Sequence, residues 1–225
     1  MHIARVLSML PPGPLSDYCC GDGIVSALAT MMGWRADFGV DIRPQPMAAG
    51  VFARAVEVAD VEDPKAWHAF PPNEASETAV FTEALEHMAF HPLPTLRRIT
   101  SRSDSLLLTT PNAPCFDEPG IHMGKPVSAL PRRAARSVRP PLRVPGEVMG
   151  PGDHGEHTRF YTAEEVANLL LMAKMGEWED VGVWMIVGGR WLLAVAGAAY
   201  APVHECYEKE LKAGVPNDFM LAKAW

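Results

Sequence analysis

Short unbroken apolar runs alternate along this chain with segments of helical period, a rhythm that predicts an α/β fold. Residues 1–10 read as a short helix stopped by Pro11 and Pro12. A first strand over 15–19 meets the closely spaced Gly21 and Gly23, and an apolar-periodic helix begins at Ile24. The second strand, 38–42, lies between Gly33 and Pro44, a short helix follows before Arg54, and the third strand covers 56–59. The fourth strand is 78–82, a helix over 93–101 is started by Pro94, and the fifth strand, 106–112, ends in Thr-Pro-Asn. After a long irregular stretch, Thr162 caps a helix over 163–175 with Glu165 at the capping-box position. A sixth strand over 178–185, helical pieces at 191–200 and 203–212, and a last strand at 219–222 complete the reading.

The turn at Gly21 and Gly23 is a ligand cradle. Glycine admits positive φ and lets a ligand lie against bare main chain, and the first N–H groups of the next helix are free to donate. A dinucleotide fingerprint would need a third glycine where Ile24 stands, so that version fails. Asp41, at the end of the second strand and about 20 residues past Gly21, either accepts hydrogen bonds from both hydroxyls of a ribose or caps the next helix. Glu83, Glu86 and His87 stand at i, i+3 and i+4, on one face if the segment is helical, at the sheet edge where ligands bind. The other reading makes Glu86 and His87 solvated or hydrogen-bonded residues of the turn after the strand.

Composition changes the picture only by exclusion. A chain of 225 residues, 48% hydrophobic, can bury a core and reads as one domain over 1–225. The most apolar stretch, 181–201, is broken by Gly188, Gly189 and Arg190, which argues for buried core and against a membrane span. No secretory signal is evident at the N-terminus, so a cytoplasmic location is expected. Four cysteines, Cys19, Cys20, Cys115 and Cys206, make neither a disulfide framework nor a C-x-x-C pair. A net charge of −7 argues against broad nucleic-acid affinity. The Pro- and Gly-rich stretch 113–153, with Arg132, Arg133, Arg136, Arg139 and Arg143, is either a substrate-recognition insertion gripping a carboxylate or phosphate, or a solvated loop. A second insertion, read as helical, covers 186–216, and Trp184, Trp191 and Trp225 read as core or interface.

The run Asp17-Tyr-Cys19-Cys-Gly21-Asp22-Gly23 resembles the acidic-residue-plus-G-x-G-x-G turn of class I S-adenosylmethionine (SAM)-dependent methyltransferases, with Cys19 in place of the first glycine. The E-x-x-E-H and Thr-Pro-Asn segments resemble those of ubiquinone-pathway O-methyltransferases and of small-RNA 2′-O-methyltransferases, and H-x-x-H-x-x-F-Y-T at 154–162 matches the same group. The resemblance implies a Rossmann-like, seven-stranded, mostly parallel sheet with helices on both faces and an antiparallel last strand. It implies SAM held by Asp17, Cys19, Gly21, Asp22, Gly23, Asp41, Ile42 and Thr82, with Asp60 facing the adenine amino group and Val61 the ring. It further implies that His157, or else His154, reaches back to the site, and that Glu83, Glu86, His87 and His157 either hold a Mg²⁺-like cation or serve catalysis, His87 or His157 as base with Glu83 orienting it.

The leading reading is methyl transfer to a small-molecule hydroxyl, the acceptor anionic if the arginines grip it. RNA 3′-terminal 2′-O-methylation and SAM binding without transfer are the alternatives, the last motivated by Cys19 and by Glu77 near the start of the fourth strand.

Overall fold

A computed structural model describes residues 2–44, 48, 50–70, 78–113, 160–173, 180–186, 191–213 and 220–224. Residues 114–159, with the arginine-bearing stretch, Cys115, His154 and His157, lie outside it, as does Glu77.

Helix α1 (His2–Met9) leads into β1 (Pro14–Tyr18), α2 (Ile24–Met31), β2 (Arg35–Asp41) and β3 (Ala55–Val58). Then come β4 (Thr78–Thr82), α3 (Leu93–Thr100), β5 (Ser105–Pro111), α4 (Ala163–Ala173), β6 (Val181–Ile186), β7 (Trp191–Gly197), α5 (Tyr200–Lys212) and β8 (Met220–Ala224). The strands form one sheet in the order β3-β2-β1-β4-β5-β7-β6-β8. Pairing from β3 through β5 is parallel, and β7 runs antiparallel to both β5 and β6, so β6 points the same way as β1 to β5. The mostly parallel Rossmann-like architecture expected from sequence is therefore present.

Helices cover both faces, which is why β4 and β5 are buried at nearly every position. On one face Phe81, Leu106 and Leu108 pack against Leu96 and Ile99 of α3 and Leu170 of α4. On the other, Val80, Leu107 and Val195 meet Val6 and Leu7 of α1 and Val203 of α5. The capping box at α4 is formed: Thr162 N–H donates to Glu165 Oε2 at 2.9 Å and Glu165 N–H to Thr162 Oγ1 at 3.2 Å. Among the described residues no helix is long and apolar enough to cross a membrane.

One element is corrected. Residues 191–200 were expected to be helical, and Trp191–Gly197 is a strand paired on both sides, to β5 and to β6. Its Leu-Leu-Ala-Val-Ala core is apolar without helical period, and a run buried on both faces is ambiguous until its neighbours are known. The reversal in the sheet is thus made at β7, and β8 is an eighth strand on the edge, antiparallel to β6.

The chain reaches β3 at one side and crosses back to β4 beside β1, and the carboxyl ends of β1 and β4 flank the resulting crevice. Beneath the β2 end, a Cβ on Gly39 would lie 2.6 Å from two carbons of the Phe52 ring. Gly39→Ala should therefore lower stability by about 1–3 kcal/mol in urea unfolding, and Phe52→Leu in the same chain should recover part of the loss.

Candidate functional site

The turn after β1 is built from left-handed backbone: Cys19 has φ 62°, Gly21 53° and Gly23 77°. It is tied down by Cys20 N–H to the Val40 carbonyl at 3.0 Å and Gly23 N–H to the Cys20 carbonyl at 2.7 Å. Asp22 Oδ1 accepts from Ile24 N–H at 3.0 Å, closing the turn onto the start of α2. A side chain at Gly23 would press on the Ala48 backbone at 3.1 Å, so that glycine is needed for space as well as for φ.

Asp41 ends β2 and faces this turn. Its Oδ2 accepts from Gly21 N–H at 2.9 Å and its Oδ1 from Arg43 N–H at 2.8 Å. Each oxygen retains a second lone pair, so the carboxylate is held in place with acceptor capacity left over. Beyond β3, Asp60 Oδ1 accepts from Glu62 N–H at 2.7 Å, and the Val61 carbonyl accepts from Trp67 Nε1 at 2.8 Å.

These pieces surround one cavity of about 400 Å³. It is lined by Cys19, Cys20, Gly21, Asp22, Asp41, Ile42, Asp60 and Val61 from the ends of β1, β2 and β3, and by Thr82, Glu83, Ala84, His87 and Met88 from the end of β4 and the turn after it. Asp22, Asp41, Asp60, Glu62 and Glu83 make its described walls acidic, with His87 their one basic side chain. The non-glycine residues of positive φ among the described residues are Cys19 and Glu83, and both line this cavity. Burial, reinforced by Asp41, Asp17 and Asp60, holds the Cys19 thiol well above its usual range, which leaves it an inert wall.

Two residues assigned to the cofactor turn stand behind the cavity. Gly23 shapes the turn without lining the space, and Asp17 is buried under it. Asp17 Oδ2 accepts from Ser26 Oγ at 2.7 Å, while Oδ1 has no hydrogen-bond partner among the described residues. Burial pushes its carboxyl up to about 7, against the lowering effect of Ser26 and helped by the charges of Asp41 and Asp22.

The E-x-x-E-H segment is a turn and not a helix. Glu83, at φ 52°, precedes a single 3₁₀ turn over Leu85–His87, so its two glutamates and histidine do not share a helical face. Glu83 N–H donates to the Thr109 carbonyl at 3.1 Å, and its Oε1 accepts from Thr109 Oγ1 at 2.6 Å. Burial raises the Glu83 carboxyl. Glu86 is fully buried, accepting from Thr110 Oγ1 at 3.0 Å, and burial with the nearby Glu83 charge pushes it up to about 8. Among the described residues no group of three metal-ligating side chains assembles. The expected cation set of Glu83, Glu86 and His87 is therefore not formed by these residues, and its fourth member, His157, lies outside them.

Sequence reasoning missed Glu62. Its carboxylate accepts from Ala89 N–H and Phe90 N–H, both at 2.8 Å and nearly thirty residues away in the chain, a pairing no local pattern signals.

A family model described as a methyltransferase domain matches residues 3–173. The N-terminal domain of EvdMO1, solved in the presence of S-adenosylhomocysteine (SAH) and D-fucose, is similar at TM-score 0.54 and 15% identity over 87% of this chain and 81% of that one. The plantazolicin methyltransferase BpumL in complex with SAH is similar at 0.55 and 13% identity, over 86% and 82% respectively. An S-adenosylmethionine dependent methyltransferase from Mesorhizobium loti is similar at 0.53 and 14%, over 86% and 95%. At such identities the likeness is one of fold. No curated protein matches the chain in sequence.

Proposed function

This chain belongs to the class I SAM-dependent methyltransferase family, and on that premise we propose that it transfers a methyl group from SAM to a hydroxyl of a small-molecule acceptor. The observation that carries the reading is that Gly21, Asp41 and Asp60, distant in sequence, line one cavity.

The residues present fit the cofactor. The bare main chain of Gly21 would take the amino-acid end, Asp41 would accept from the ribose hydroxyls, and Asp60 with Val61 would take the adenine. SAM, when bound, supplies an electrophilic methyl on a positively charged sulfur. An acidic cavity favours such a cation, and the glycine turn lets it approach the backbone closely. The protein's share is alignment, exclusion of water and removal of the acceptor's proton. An imidazole nitrogen of His87, which lines this cavity, is the base we assign to that proton, with Glu83 of the same lining to orient it. The neighbours' SAH complexes and D-fucose support a cofactor of this class and a small acceptor.

Calorimetry with SAM should give micromolar binding, and absence of binding at millimolar SAM would end the reading. A panel of hydroxyl-bearing small molecules, followed by SAH release, should yield a substrate on which His87→Ala costs about 100-fold or more in turnover. EDTA should leave that turnover unchanged; its loss would bring back the cation, with His157 as the missing ligand.

A further inference from the structure

We propose that Glu62 is a positioning residue for the acceptor side of the site, its carboxylate holding the Ala89 and Phe90 amides so that His87 and Met88 stay in the cavity wall. The inference rests on the functional reading above and extends it to a residue outside the cofactor set.

Residues 88–92 join the 3₁₀ turn at His87 to α3 without belonging to the sheet or to either helix. Met88 there is extended, at φ −63° and ψ 127°, so the amides that follow it need acceptors from elsewhere. Glu62 Oε2 takes Ala89 N–H and Oε1 takes Phe90 N–H, each at 2.8 Å, the short charge-assisted kind. The arm that bears this carboxylate is fixed in turn. Asp60 holds the Glu62 amide at 2.7 Å, and Trp67 at 2.8 Å and Thr95 at 3.4 Å hold the carbonyl of Val61. A continuous set of hydrogen bonds thus runs from the adenine side of the cavity to the segment carrying His87. Glutamine at 62 would accept one amide and set its own N–H₂ against the other.

Nuclear magnetic resonance of the full chain, with SAH as the probe, tests this. In Glu62→Gln, amide exchange at Ala89 and Phe90 should accelerate about tenfold or more while the β4 and β5 amides keep their rates. The His87 imidazole resonance, assigned with His87→Gln, should respond to SAH in the wild type and lose at least half of that response in Glu62→Gln. A loop anchor with no positioning role would leave the His87 response intact, and that result, or unchanged exchange at Ala89 and Phe90, overturns the proposal. If Glu62→Gln does not fold, Glu62→Asp, which keeps both oxygens on a shorter arm, is read against the same two outcomes. Failure of SAH to bind the wild type would count against the cofactor reading instead, while unchanged exchange at Ala89 and Phe90 in free Glu62→Gln would still overturn the proposal.

Discussion

Asp41→Ala is expected to weaken SAM binding by about a hundredfold or more, measured by calorimetry at constant salt. Two effects add. The ribose hydroxyls lose their carboxylate, and two hydrogen bonds to a charged acceptor are each worth about 1.5–3 kcal/mol. The turn also loses its brace, because Asp41 holds Gly21 N–H at 2.9 Å and Arg43 N–H at 2.8 Å. The affinity estimate uses the ribose bonds alone, at about 3 kcal/mol or more together, and about 1.4 kcal/mol is a factor of ten. Asp41→Asn, which keeps one acceptor oxygen at the same place, should fall between wild type and alanine. Equal affinity in all three proteins would mean that the cavity between β1 and β2 does not hold the ribose.

Asp17→Asn should make the protein more stable at pH 8 by roughly 2–4 kcal/mol and change it little at pH 3.5, compared by urea unfolding at both values. The sign follows from burial. An exposed aspartate ordinarily titrates near 3.8, whereas Asp17 in the folded chain does so at about 7. Between those values the folded state binds more protons than the unfolded one, so stability falls as pH rises from about 4 through 7 and levels off above. A shift of one pKa unit corresponds to about 1.4 kcal/mol, and the lower end of the range allows for weakening of the Ser26 hydrogen bond. Glu86, pushed up to about 8 by burial and by Glu83, works in the same direction and extends the fall toward pH 8. A stability gain in Asp17→Asn that is equal at both pH values would show that the carboxyl titrates normally.

Much of this molecule was legible from local pattern. The first, fourth and fifth strands each lie within a residue or so of their expected limits. Thr162 and Glu165 announced the start of α4 because a capping box involves only neighbours in sequence. Gly21, Asp41 and Asp60 could be placed around one hollow because the ends of β1, β2 and β3 adjoin in any doubly wound sheet, whatever packs on its faces.

Other features had no local signature. Trp191–Gly197 became a strand because β5 and β6 offer it ladders on both sides. Glu86 turned inward because Thr110, on a strand 24 residues away, supplies its hydrogen bond, and the same burial raises its carboxyl. His87, next in sequence, lines the cavity. Periodicity and turn chemistry act between residues a few positions apart, so the amino-acid order alone determined where elements begin, end and bend. Desolvation and hydrogen-bond partnership depend on whatever folds against a side chain, and so the assembled sheet alone decided which carboxyls are buried, which line the cavity, and that Glu62 takes the Ala89 and Phe90 amides.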